Sequence, residues 1–154
     1  IDIVAVYDLG KTDIGLAINT NNTEIVESRK VGGEDPLSSD TKFNIENNLP
    51  KIRLIATVNH KINQNLSVMA RVNYYGETSD ERGDREDVDP TQLVDLELNY
   101  NVSNNLNIVF GSNNILNTYP TEIETRAGQG MPYPRRTPIG YHGGMTYLRL
   151  MYSF

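Results

Sequence analysis

The stretch TYLRLMYSF, Thr146–Phe154, closes the chain and decides its fold. Leu148, Leu150, Tyr152 and Phe154 alternate with Tyr147, Arg149, Met151 and Ser153. A period of two puts each set on its own face of a β-strand. Chain ends usually fray and carry polar residues. This one stays strand-like to its last residue and stops on a large apolar ring. A strand built this way calls for an apolar environment along one whole face.

The same alternation recurs six times upstream. IDIVAVYD puts Ile1, Ile3, Ala5 and Tyr7 on one face, and DIGLAINT puts Ile14, Leu16 and Ile18 there. KIRLIATVNH sets Ile52, Leu54, Ala56 and Val58 against Arg53, Ile55, Thr57 and Asn59. LSVMARVNYY sets Leu66, Val68, Ala70, Val72 and Tyr74 against Ser67, Met69, Arg71, Asn73 and Tyr75. VDLELNYNV and LNIVFGSN continue the pattern with Val94, Leu96, Leu98, Tyr100, Leu106, Ile108 and Phe110. No segment of comparable length carries a 3.6-residue period, so no helix is predicted.

The connections alternate in length. LGKT, INQN and SNN are short and rich in Gly or Asn, as tight hairpin turns require. The other three are long, roughly residues 21–49, 76–93 and 114–144. Long loops at every second connection put them all at one end of a meander, which is the pattern of a transmembrane barrel. Most strands run to 8–10 residues, close to the ~9–11 of a tilted membrane strand. Tyr7, Tyr74, Tyr75, Tyr100 and Tyr152 fall near strand ends, where an interfacial girdle would sit. A soluble β-sandwich also alternates. Such a binding or adhesion module is the alternative reading, and a passive porin or a barrel enzyme is another.

Composition bounds these readings. The 154 residues suffice for one domain. The net charge of −6 argues against a nucleic-acid partner. With no Cys there is no thiolate nucleophile, thiolate metal site or disulfide. Neither His60 nor His142 has metal-ligand spacing, and no dinucleotide or nucleophile-elbow motif occurs. No catalysis, cofactor or metal is predicted. Seven strands are odd in number, whereas single-chain bacterial barrels have even counts. Residues 1–154 are therefore expected to be the C-terminal part of a larger barrel domain, an all-β, antiparallel, up-and-down membrane structure.

Three runs carry a family resemblance. NLPKIRLIATVNHKINQNLSVMARVNYYGE, with LP before one strand and YYG after the next, resembles late barrel strands of TonB-dependent outer-membrane receptors. VDLELNYNVSNNLNIVFGSNNILNTYP is similar to their penultimate hairpin, and TPIGYHGGMTYLRLMYSF to their last strand. The resemblance spans Asn48–Phe154; the first 47 residues fit by strand pattern and loop length. It implies the last seven strands of a 22-stranded, plugged barrel. It also implies TonB-dependent uptake of a scarce nutrient, such as a ferric siderophore, haem, a vitamin or an oligosaccharide. TonB would act through an N-terminal plug that lies outside these residues. Other implied partners are outer-membrane lipid, lipopolysaccharide and the barrel-insertion machinery.

Candidate residues fall into three groups. Leu148, Leu150, Tyr152 and Phe154 resemble the C-terminal assembly signal of outer-membrane proteins. In the last long loop, Arg126, Tyr133, Arg135, Arg136, Tyr141 and His142 offer cations for a carboxylate, phosphate or catecholate, and rings for stacking. On the polar face, Arg53, Arg71, Asp95, Glu97 and Arg149 would line a lumen, with Arg71 placed to pair across strands with Asp95 or Glu97. The loop GETSDERGDREDVDPTQ holds seven acidic and two basic residues. Its expected state is solvated and mobile, with calcium binding as the lesser alternative.

Overall fold

A computed structural model of the chain describes residues 1–81, 85–123 and 130–154. Seven strands form one sheet in chain order: β1 (Asp2–Asp8), β2 (Thr12–Thr20), β3 (Ile52–Lys61), β4 (Leu66–Tyr75), β7 (Thr91–Asn101), β8 (Leu106–Asn113) and β9 (Met145–Tyr152). Every neighbouring pair is antiparallel. This is the meander that the alternation predicts. The sheet is not closed, and β1 and β9 are its edges.

Local chemistry sets the turns. Gly10, at φ +78°, takes the left-handed position between β1 and β2, and its N–H donates to Asp8 Oδ1 at 2.6 Å. The next two turns share one design. Asn63 Oδ1 accepts from the N–H groups of Asn65 and Leu66, and Ser103 Oγ accepts from those of Asn105 and Leu106. A short polar side chain thus satisfies two turn amides that the ladder leaves free.

The register carries one apolar face across all seven strands. Ile18 lies beside Ile3 and Leu54, and Leu54 beside Tyr74. Further along, Val68 lies beside Leu98, Leu98 beside Phe110, and Phe110 beside Leu148. This is the exposed face. Phe110 is 52% exposed and Leu148 65%, whereas Val109, on the polar face, is 1% exposed. Strands about 4.8 Å apart and a band about 25 Å tall give on the order of 700 Å² of apolar surface. That exceeds the roughly 300–600 Å² of the largest patch on a typical soluble monomer. A β-sandwich would cover this face with a second sheet, yet the other sheet of the described residues is a small hairpin in a loop.

That hairpin and a helix depart from the sequence reading. Residues 76–90, expected to be solvated, contain β5 (Thr78–Glu81) and β6 (Arg85–Val88), with Thr78, Ser79, Asp80 and Val88 buried. β7 accordingly begins at Thr91, not Val94. Residues 21–51 contain α1 (Ser39–Asn47). Ser38 caps it, its hydroxyl accepting from Thr41 N–H at 3.2 Å. The helix escaped prediction because it is short and largely polar, with little apolar stripe to read. The final strand also stops earlier than expected: β9 ends at Tyr152, Ser153 N–H donates to Asn105 O, and Phe154 stands 111% exposed. Of the buried hydrophobic residues, Val88, Ile123 and Ile139 belong to the loop layer. Packing therefore concentrates above the sheet, not between sheets.

Candidate functional site

The long loops gather at one end of the sheet and the polar face runs down from them. Both were predicted to carry function, and each is built by identifiable contacts. On the polar face, the register sets Arg71 opposite Asp95. The expected ion pair does not form. Asp95 Oδ2 accepts from Asn73 Nδ2 at 3.1 Å, and Oδ1 accepts from Asn114 N–H at 2.9 Å. Asn114 is at a positive φ of 50°, where the chain turns out of β8, and its amide points back at the carboxylate. Glu97 is likewise engaged elsewhere: it accepts from Tyr147 Oη at 2.7 Å and Arg149 Nη2 at 3.2 Å. Arg71 makes no ion pair among the described residues. Arg53 lies with its guanidinium 5.2 Å from the centre of the Tyr75 ring. Tyr75 therefore shares the polar face with Arg53 and not the apolar face that carries Tyr7, Tyr74, Tyr100 and Tyr152, which removes it from the expected girdle.

The 114–144 loop is tied at its base. Asn114 exchanges two side-chain hydrogen bonds with the Thr118 backbone, and Asn117 Oδ1 accepts from Gly144 N–H at 2.9 Å. A Cβ on Gly143 would meet Asn117 Oδ1 at 2.4 Å and one on Gly144 would meet Asn114 O at 2.8 Å. The NNILN and HGG runs are thus two halves of one knot. Above it, Tyr119, Tyr133 and Tyr141 stack with centroids 6.0 and 5.8 Å apart and rings near parallel. Tyr141 Oη donates to the Pro134 carbonyl at 2.8 Å. Tyr133 and Tyr141 therefore support the loop from within. Tyr119, which the sequence reading passed over, is the third ring, marked only by its place in the NTYP run. Arg135 and His142 are exposed. Arg126 lies outside the described residues.

Arg136 is exposed as well, but it also reaches a partner in another loop. Its Nη1 is 3.5 Å from Oδ1 of Asp80, a β5 carboxylate with no exposed surface. It also lines a hollow of about 500 Å³ with Thr23, Thr41, Asn44, Ile45, Asn48 and Leu49. Asn44, on α1, pairs with the Glu81 backbone in strand fashion: Nδ2 donates to the carbonyl at 2.7 Å and Oδ1 accepts from the N–H at 2.8 Å. The sequence did not single out Asp80 from its acidic neighbours, or Asn44 at all, because their importance depends on which loops meet.

Two carboxylates in these loops have a cation close by in their own segment. Asp35 accepts from Lys42, Ser28 Oγ and Leu37 N–H, and the Lys42 bond most strongly lowers its pKa to about 2. Asp87 is also held below the usual carboxylate range, by Ser79 Oγ at 2.7 Å and then by Arg85. Among the described residues no three acidic or histidine groups converge on a point that could hold a metal ion. Among the described residues no helix is long and apolar enough to cross a membrane, which leaves crossing by strands open.

No family model and no curated protein sequence matches the chain. Solved structures do. The siderophore receptor PiuA from Acinetobacter baumannii aligns over 97% of this chain and 21% of its own, with a TM-score of 0.68 at 15% identity. The chain shares its fold with siderophore-receptor barrels. PirA from the same organism aligns over 98% of this chain and 21% of its own, at TM-score 0.63 and 14% identity. A ferric enterobactin receptor mutant from Pseudomonas aeruginosa, solved with enterobactin, aligns over 99% and 22%, at 0.63 and 18%. The chain thus spans about a fifth of the length of the receptor barrels it matches. The resemblance drawn from the sequence holds at the level of fold and extends to the first 47 residues.

Proposed function

We propose that this chain is the C-terminal part of the barrel domain of an outer-membrane receptor that imports a scarce nutrient by TonB-dependent active transport. One observation carries the reading: an exposed apolar face runs unbroken over seven antiparallel strands whose long loops share one end. In water such a surface is a liability; against lipid it is the solution. The open edges β1 and β9 would pair with further strands of a 22-stranded wall. Localisation in the bacterial outer membrane, contact with lipid and lipopolysaccharide, delivery by the insertion machinery and coupling to TonB through a plug all belong to this proposal.

The ligand would be a small, anionic or oxygen-rich nutrient, with a ferric siderophore favoured because the matched structures are siderophore receptors. Arg135 and His142, exposed on the loop layer, would meet it first. The reading assigns no catalytic step. The test is uptake of labelled iron with a panel of siderophores in cells with the intact gene, without it, and without TonB. Uptake lost in both deletions is the expected result. Uptake that needs the gene but survives loss of TonB would instead establish a passive porin.

A further inference from the structure

We infer that Arg136 clasps the three long loops into one body that opens as a unit. The 76–90 loop is joined to each of the other two. Residues 21–51 meet 76–90 through the double Asn44–Glu81 hydrogen bond and through Arg85, whose guanidinium lies 4.9 Å from the Phe43 ring centre. Residues 76–90 meet 114–144 through Arg136 and Asp80, and through Asp89, whose N–H donates to Thr121 Oγ1 at 2.9 Å. Residues 114–144 face 21–51 across the hollow that Arg136 lines beside Asn44 and Asn48. Arg136 is thus the side chain that touches the hairpin and borders the helix at once.

The physics makes this joint cooperative. Asp80 is fully buried, and a buried carboxylate depends on the charged and hydrogen-bonding groups around it. Moving the 132–141 segment away takes a cation from Asp80 and opens the hollow beside α1. Moving α1 away removes the amide that completes the backbone pairing of Glu81 and so frees the strand that holds Asp80. The 21–51 and 114–144 loops are therefore coupled to each other through the hairpin that both of them hold. Local opening should spread through all three loops while the sheet below stays paired. The coupling stands on these contacts alone. Its use as a gate to the polar face rests on the receptor reading above.

The test is amide hydrogen exchange on the intact protein in its membrane or detergent, comparing wild type with Arg136→Ala and, separately, Asn44→Ala. Exchange in β3, β4 and β7 serves as the folding control. Either change should speed exchange by roughly 3- to 10-fold in all three regions: α1, the β5–β6 hairpin and residues 130–141. Arg136→Lys should restore part of the protection, because the ammonium keeps the charge beside Asp80. Faster exchange confined to residues 130–141 in Arg136→Ala, or to α1 and β5 in Asn44→Ala, would overturn the inference. The exchange result does not depend on any ligand, so the clasp can fail while the receptor reading survives, and the reverse.

Discussion

Tyr147 reaches across Gly111 to donate its hydroxyl to Glu97, 2.7 Å away. The register runs Glu97–Gly111–Tyr147 over three strands, and Gly111 leaves the middle position empty. A Cβ there would lie 2.3 Å from the ring. Gly111 is therefore a slot for the tyrosine, with Arg149, two residues further along β9, reaching the same Glu97 oxygen from beside the ring. Gly111→Val should destabilise the sheet by about 2–4 kcal/mol, through overpacking and a lost hydrogen bond to a charged group. Tyr147→Phe removes the bond alone and should cost about 1–2 kcal/mol. Reversible urea unfolding in detergent or lipid measures both.

The two faces should respond oppositely to one substitution. Ala70 lies mid-strand on the apolar face between Val58 and Leu96; Met69 lies on the polar face between Asn59 and Glu97. Ala70→Arg should cost about 2–4 kcal/mol in a bilayer, the cost of a cation at the lipid midplane. Met69→Arg should change stability by less than about 1 kcal/mol, because it meets solvent and a carboxylate. Equal costs at both sites would show that the apolar face does not meet lipid.

Phe154 stands free beyond β9, edge-on to Tyr152 at 5.5 Å, in line with exposed Leu148 and Leu150. A ring so placed touches little of the described sheet, and the proposed use of the residue is recognition before folding. Deleting Phe154 should lower the amount of receptor reaching the outer membrane while leaving the unfolding midpoint of assembled protein within about 0.5 kcal/mol. Immunoblots of membrane fractions beside unfolding curves make the check. Unchanged assembly would remove the residue from any signal.

Asp35 gives the 21–51 loop a defined acid limit. Its folded pKa, about 2, lies below the ordinary 3.8. A depressed carboxylate pKa means that the contribution is complete above the ordinary value and is lost as pH falls through the folded one. The ties to Lys42, Ser28 and Leu37 should therefore hold down to about pH 4 and release between about 4 and 2. Cleavage of residues 28–42 by an acid-active protease should rise across that window. In Asp35→Asn the loop should be cut at every pH.

Arg135 and Arg136 are adjacent yet should behave differently. Arg135 is exposed, and Tyr141 holds its carbonyl at 3.2 Å, which fixes the backbone and leaves the side chain available. Arg135→Ala should weaken binding of an anionic ligand by roughly 3- to 10-fold, the range of one partly solvated charge contact. It should leave loop exchange unchanged. Isothermal titration with the siderophore identified by uptake would test it; unaltered affinity would take Arg135 out of the site.

Alternation by itself determined the seven strands, their order, the face that is apolar and the end that bears the long loops. A period of two fixes side-chain direction, and short polar turns force neighbours to be antiparallel, so both are local properties of the chain. The polar-face pairing was not local. Arg71 and Asp95 are opposite by register, but the positive φ of Asn114 brings a backbone N–H to the same carboxylate. Nor could alternation reveal the hairpin in the acidic run, the short helix, the stacking of Tyr133 and Tyr141 within one loop, or the placement of Arg136 against a buried Asp80. The meeting of Arg136 with Asp80, and of Asn44 with Glu81, depends on segments tens of residues apart coming together above the sheet. Only the tertiary structure decides which charges meet there, because contact between loops follows from where the sheet anchors their ends.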